Sequence, residues 1–191
     1  MKWFPKYNYI LASKSPRRNQ LLKSLGVEFE VRIKEVEENY PLNLNKEEIP
    51  VFLAELKAKP FLEDLQKNDL LITADTIVWF NGKIFGKPND KTEAIEMLQL
   101  LSGKEHQVIS GVCLTSNIKK KSFYSISNVH FKNLAKSEIE YYISEFEPFD
   151  KAGGYGIQEW IGSIGITQIE GSFYNVMGLP IQKLYEEIQK F

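Results

Sequence analysis

Two periods alternate along the chain. Short apolar runs take turns with stretches whose apolar residues recur every three to four positions, the pattern of strands interleaved with helices. Residues 9–12 form the first run, and Ser13-Lys14-Ser15-Pro16 ends it. Leu21, Leu22 and Leu25 then fall at helical spacing up to Gly26, with Ser15 placed as the cap and Pro16 at the first helical position. Residues 27–34 alternate apolar and charged side chains strictly, which predicts a strand with one face buried. From residue 47 to about 65, Val51, Leu53, Leu56, Phe61 and Leu65 predict a helix that Pro60 interrupts.

Residues 70–74 predict a compact strand, and 77–80, Asn81-Gly82 and 83–85 a hairpin, since Asn-Gly accepts the positive φ angles of a type I′ turn. Asp90 and Glu93 have capping-box spacing before a helix carrying Ala94, Met97, Leu98 and Leu101, closed by Ser102-Gly103. Strands are expected over 107–115 and 122–131, and Ser137 with Glu140 repeats the capping signature before a helix to about Phe146. Seven glycines between 153 and 178 predict loops and short strands close to a ligand, before a closing amphipathic helix over 179–191. Alternating strands and helices without a repeat or linker predict one α/β domain over residues 1–191.

Composition narrows the function classes. The 191 residues are 43% hydrophobic and 26% charged, enough apolar surface for a packed core. Lys and Arg number 24 against 25 Asp and Glu, so no global basic field gathers nucleic acid or an anionic membrane. Any phosphate binding must therefore be local. The single cysteine, Cys113, excludes an internal disulfide framework and a cysteine-based zinc site, and it fits a reducing compartment. The N-terminal residues lack the apolar run of a secretory signal, and no run approaches bilayer length, so the expected location is the cytoplasm.

Three groups of residues carry candidate chemistry. A capped helix start beside Arg17 and Arg18 offers free N–H groups and two guanidinium groups to an anion, although it is neither a Walker A nor a dinucleotide loop. Asp75 follows a buried run and is expected near the end of a central strand, where α/β proteins place ligands. Glu37 and Glu38 close the alternating strand, and two carboxylates brought together suit Mg2+, which binds through one or two carboxylates plus substrate phosphates. Lys57 interrupts a core-like helix, Lys87 lies in Gly86-Lys87-Pro88, and Lys151 lies in a glycine-rich stretch. A lysine flanked by glycine and proline is held in a defined loop and reads equally as a phosphate contact or a plain turn residue. His106, without a His-x-x-x-His partner, reads as structural.

These motifs, in order, resemble the Maf family of nucleoside triphosphate pyrophosphatases. The stretches that match are LASKSPRRNQLLKSLG (11–26), VEE (36–38), LAELKA (53–58), ADTIV (74–78), GKP (86–88), SGKEHQVISGV (102–112), EPFDKAGGYGIQ (147–158) and EGSFYNVMGLP (170–180). The resemblance implies a Maf/inosine-triphosphate-pyrophosphatase-like fold, a twisted mixed β-sheet flanked by helices with two lobes around a cleft. It implies a cytoplasmic hydrolase that needs a divalent cation, Mg2+ or in its place Mn2+ or Co2+, held with help from Glu38 and Asp75. The family's general base falls on Asp75, and its substrate contacts fall on Ser13, Arg17, Arg18, Lys57, Lys87 and Gln158. Members are also called septum formation inhibitors, a cell-division label.

Arginine, threonine and glutamine at Arg17, Thr76 and Gln158 match the branch that resembles dTTP/UTP pyrophosphatases, and an amide at Gln158 offers a pyrimidine edge both a donor and an acceptor. The chain departs from the usual pattern at Ser110, where threonine is common, and at Glu159, where glycine commonly follows the glutamine; an insert over 160–167 comes next. The resemblance also makes a homodimer an expectation, with Trp160 as an exposed aromatic. Two alternatives stand beside this reading: a pyrophosphatase for 7-methyl-GTP or another purine triphosphate, and a nucleotide-binding division regulator without turnover.

Overall fold

The computed structural model describes residues 3–191. Seven strands form one mixed sheet in the order β2 (Phe29–Val31), β1 (Asn8–Leu11), β3 (Asp69–Phe80), β5 (Glu105–Thr115), β6 (Lys120–Phe131) and β7 (Ile166–Glu170), with β4 (Lys83–Phe85) paired to β3. The chain divides into two compact units, each assembled from separate segments.

The first unit holds residues up to Thr76, Ser110–Ser125 and Gly178–Phe191. It begins with β1 (Asn8–Leu11), whose last three residues are buried, then α1 (Pro16–Ser24). The Ser15 hydroxyl accepts from the Arg18 amide at 3.4 Å with Pro16 at the first helical position, as the sequence predicts. β2 is only Phe29–Val31. It forms the parallel edge of the sheet beside β1, and Val31 and Ile33 are exposed. The expected eight-residue strand with a buried face is therefore corrected: β1 ends at Leu11, opposite Val31, so the alternation beyond has no strand to pair with.

α2 (Glu48–Ala58) runs into a 3-10 turn at Lys59–Phe61, because Pro60 cannot continue the α-helical hydrogen bonds. β3 (Asp69–Phe80) follows, and β1 pairs with it in parallel, Leu11 opposite Ile72. Ile10, Ala54, Ala58, Phe61, Leu65, Leu71 and Cys113 close the core of this unit. It also contains one end each of β5 (Glu105–Thr115) and β6 (Lys120–Phe131), and the closing helix α7 (Ile181–Gln189).

The second unit holds Ile77–Ile109 and Ile126–Met177. β3 and β4 (Lys83–Phe85) form the expected hairpin, with Asn81 and Gly82 at φ of 49° and 78°. α3 (Lys91–Leu101) starts at Asp90, whose carboxylate accepts from the Glu93 amide at 2.9 Å. α4 (Lys136–Phe146) starts two residues earlier than the Ser137 signature predicts. Glu138 accepts from the Ala135 amide at 2.8 Å, so its reach-back bond sets the register that Ser137 was expected to set.

Glycines of the 153–178 stretch do not hold it in loops and strands alone. It contains α5 (Trp160–Gly165), β7 (Ile166–Glu170), antiparallel to β6, and α6 (Phe173–Val176). Residues 160–167, expected to be an insert, are thus a helix and the start of a strand. Trp160 is half-buried and packs edge-on against Tyr141, so the exposed aromatic expected of a dimer contact is absent at this residue. Val78, Leu98, Leu101, Val129, Phe131, Tyr142 and Ile161 belong to the core of this unit. Among the described residues, no helix is long and apolar enough to cross a membrane.

Candidate active site

The sequence splits β3 into a strand over 70–74 and a hairpin arm over 77–80, but the twelve residues are one strand with Asp75 and Thr76 in its middle. Asp75 is therefore not near a strand end. It lies beyond the carboxyl end of the parallel neighbour β1, which stops pairing at Ile72, and this is the position at which open α/β sheets expose side chains to ligands. Polar residues do not interrupt the strand, because both side chains have partners.

Those partners lie on opposite faces, since successive strand residues point to opposite sides. Thr73 and Asp75 face α2. The Thr73 hydroxyl donates to the Ala54 carbonyl at 2.7 Å, and one turn further along α2 the Lys57 ammonium donates to the Asp75 carboxylate at 2.6 Å. The same ammonium is 3.1 Å from the Glu38 carboxylate. Lys57 is the cation that two acids share. Asp75 is 9% exposed, and the ammonium is the partner that a buried carboxylate needs.

Thr76 faces the other way. Its hydroxyl accepts from Arg18 Nη2 at 3.1 Å and lies 2.9 Å from the Ser110 hydroxyl and 3.3 Å from the Gly178 carbonyl. Arg18 Nε donates to that carbonyl at 2.8 Å. Gly178 has a φ of 114°, a conformation that other residues rarely adopt. Two of the five guanidinium N–H groups thus have partners among the described residues, and these two bonds fix Arg18. Burial pulls the Arg18 pKa down, while Asp75 and Glu38 push it up, so the guanidinium and both carboxylates share one electrostatic neighbourhood.

Of the remaining expected residues, Ser13 accepts from the Ser15 amide at 3.2 Å, which shapes the turn into α1, and Arg17 lies half-buried in the first turn of that helix. Lys87 and Gln158 belong to the second unit, both exposed, in the loop after β4 and in a turn before α5. Lys151 is buried there between Asp150 at 2.6 Å and Glu159 at 3.1 Å, a structural ion pair. His106 is buried, 2.6 Å from the Tyr155 hydroxyl and stacked on Phe131, which agrees with its structural reading. The Gly178 carbonyl and the Ser110 hydroxyl are the contacts that sequence reasoning missed. A glycine directly before Leu179-Pro180 was the available signal for the first, and Ser110 stood out only as a departure from the usual family pattern, with no role attached.

The donor set suits a hard cation. Glu38 and Asp75 converge on one point, now marked by the Lys57 ammonium, and carboxylate oxygens are the ligands that Mg2+ takes. No group of three or more acidic, histidine or cysteine ligands occurs among the described residues, so substrate phosphates and water would have to complete any coordination.

Known proteins resemble this chain over nearly its whole length. A relative from Bacteroides thetaiotaomicron, a dTTP/UTP pyrophosphatase, is 54% identical over 97% of this chain and 96% of its own. A dTTP/UTP pyrophosphatase of Flavobacterium johnsoniae is 49% identical over 95% of this chain and 93% of its own. The solved structure of the Staphylococcus aureus Ham1 protein superposes with a TM-score of 0.54 at 15% identity, covering 96% of this chain and 98% of that one, a likeness of fold. The family model described as Maf-like protein matches residues 8–191, and the chain belongs to the Maf family.

Proposed function

We propose that this chain hydrolyses dTTP and UTP to the nucleoside monophosphate and pyrophosphate. One observation carries the reading: Asp75, held by Lys57 and joined there by Glu38, shares an electrostatic neighbourhood with Arg18. A site that only bound an anion would gain nothing from carboxylates there, whereas a hydrolase needs a base. The pyrimidine substrates follow from the relatives' names and from Arg17, Thr76 and Gln158.

In this mechanism Ser13, Arg17, Arg18 and the first turn of α1 hold the phosphates, and Lys57 orients the Asp75 carboxylate. Asp75 accepts a proton from water as the water oxygen bonds to the α-phosphorus. The bond from that phosphorus to the oxygen bridging to the β-phosphate breaks, and pyrophosphate leaves. A divalent cation held by Glu38 and Asp75, Mg2+ or in its place Mn2+ or Co2+, would offset phosphate charge. Lys87 and Gln158 enter the proposal from sequence, as a phosphate contact and a base reader.

The test is pyrophosphate release from UTP, dTTP, 7-methyl-GTP and purine triphosphates, with Mg2+ and with a chelator. Turnover of UTP and dTTP that stops on chelation and returns with Mg2+ is expected. A purine preference would move the substrate assignment, and nucleotide binding without turnover would make the chain a sensor.

A further inference from the structure

The turn that carries Gln158 is held by a single phenolic oxygen. Glu159 N–H donates to the Gly156 carbonyl at 3.0 Å, which closes the turn Gly156-Ile157-Gln158-Glu159 and leaves Gln158 at its exposed corner. The Gly156 amide donates to the Tyr142 hydroxyl at 3.0 Å. That oxygen has one proton of its own, and it goes to the Glu159 carboxylate in a short hydrogen bond. Both ends of the turn are therefore tied to one atom of a side chain that is fully buried in α4.

Other contacts remove the remaining freedom. The second Glu159 oxygen is 3.1 Å from the buried Lys151 ammonium, so neither carboxylate oxygen is idle. The carboxylate lies over the Gly156 backbone, where an added Cβ would meet Glu159 Cδ at 2.7 Å. Ile157 is 5% exposed and anchors the turn in the core, and Gly162 of α5 comes so close to its carbonyl that a Cβ there would stand 1.9 Å away. Burial and the Glu159 carboxylate both push the Tyr142 pKa up, which keeps the phenol a donor.

We infer that Tyr142 and Glu159 are positioning residues for Gln158, fixing the direction of its amide and hence the selectivity for the base. The inference rests on the proposed base-reading role of Gln158.

A double-mutant cycle tests it, with kcat and KM measured for UTP, dTTP and 7-methyl-GTP. Gln158→Ala is expected to lower the preference for UTP over 7-methyl-GTP, and Tyr142→Phe to lower it about tenfold through KM, the scale of one hydrogen bond to a charged group. The double variant should be no less selective than Gln158→Ala alone, because Tyr142 acts through Gln158. Additive losses, or unchanged selectivity in folded Tyr142→Phe, overturn the inference while leaving the base-reading role of Gln158 intact. Unchanged selectivity in Gln158→Ala overturns that role and the inference with it. Should Tyr142→Phe fail to fold, Glu159→Gln and Glu159→Ala replace it. Glutamine keeps an acceptor for the phenol and should retain selectivity that alanine loses, and equal selectivity in the two refutes the clamp.

Discussion

Asp75 and Thr76 share a peptide bond yet serve different partners, because the pleat turns one toward Lys57 and the other toward Arg18. Asp75→Asn keeps the size and an acceptor for Lys57 but removes the carboxylate proposed as the base. Turnover should fall by about 10²–10⁴, the range of general-base catalysis, with the melting temperature and UTP binding by calorimetry little changed. Near-native turnover would refute the role of Asp75. A second residue-scale prediction concerns His106, whose burial pulls its pKa down to about 3. The folded chain excludes a proton that the unfolded chain takes up below about pH 6.5, so this residue's stability is complete above that pH and falls on acidification toward pH 3. Urea unfolding at pH 7, 6 and 5 should show a wild-type loss steeper than that of His106→Asn, by at most ~1.4 kcal/mol per pH unit. Equal slopes would mean that the imidazole is not held neutral.

At the scale of elements, the site depends on how closely α2 approaches the sheet. Gly111 of β5 makes that approach possible: a Cβ there would meet the Pro50 carbonyl carbon and the Val51 nitrogen, each at 2.3 Å. Backbone atoms cannot swing aside, so Gly111→Ala should cost about 3 kcal/mol or more and lower the melting temperature by roughly 6–12 °C. Because α2 carries Lys57, activity should fall with stability. Gly82→Ala is the useful contrast. It meets open space and bears only the cost of a positive φ, about 1–2 kcal/mol. Comparable melting temperatures for the two variants would exclude the close approach as the cause. Element identities were largely legible: α1, α3, α7 and the 81–82 turn follow from caps, periodicity and Asn-Gly. Lengths were not. β2 stops where its partner stops, and β3 runs through two polar residues because each has a tertiary partner, neither of which local pattern records.

For the whole molecule, 24 basic against 25 acidic residues leave a formal charge of −1, so attraction for a triphosphate is confined to the site. The KM for UTP should therefore rise severalfold between about 0.05 and 0.5 M NaCl as the cations are screened, and duplex DNA should not retain the protein at about 0.15 M salt. DNA retention there would contradict the local-charge account. By itself the sequence determined the α/β class, the family, and the identity of most candidate residues, because caps, turn dipeptides and motif order are properties of neighbours along the chain. Only the tertiary structure decided which groups meet: Lys57 between Glu38 and Asp75, Arg18 on Thr76 and the Gly178 carbonyl, and Tyr142 on both ends of the Gln158 turn. Those partners are 14 to 160 positions apart, and a hydrogen bond between them depends on packing that no local period encodes.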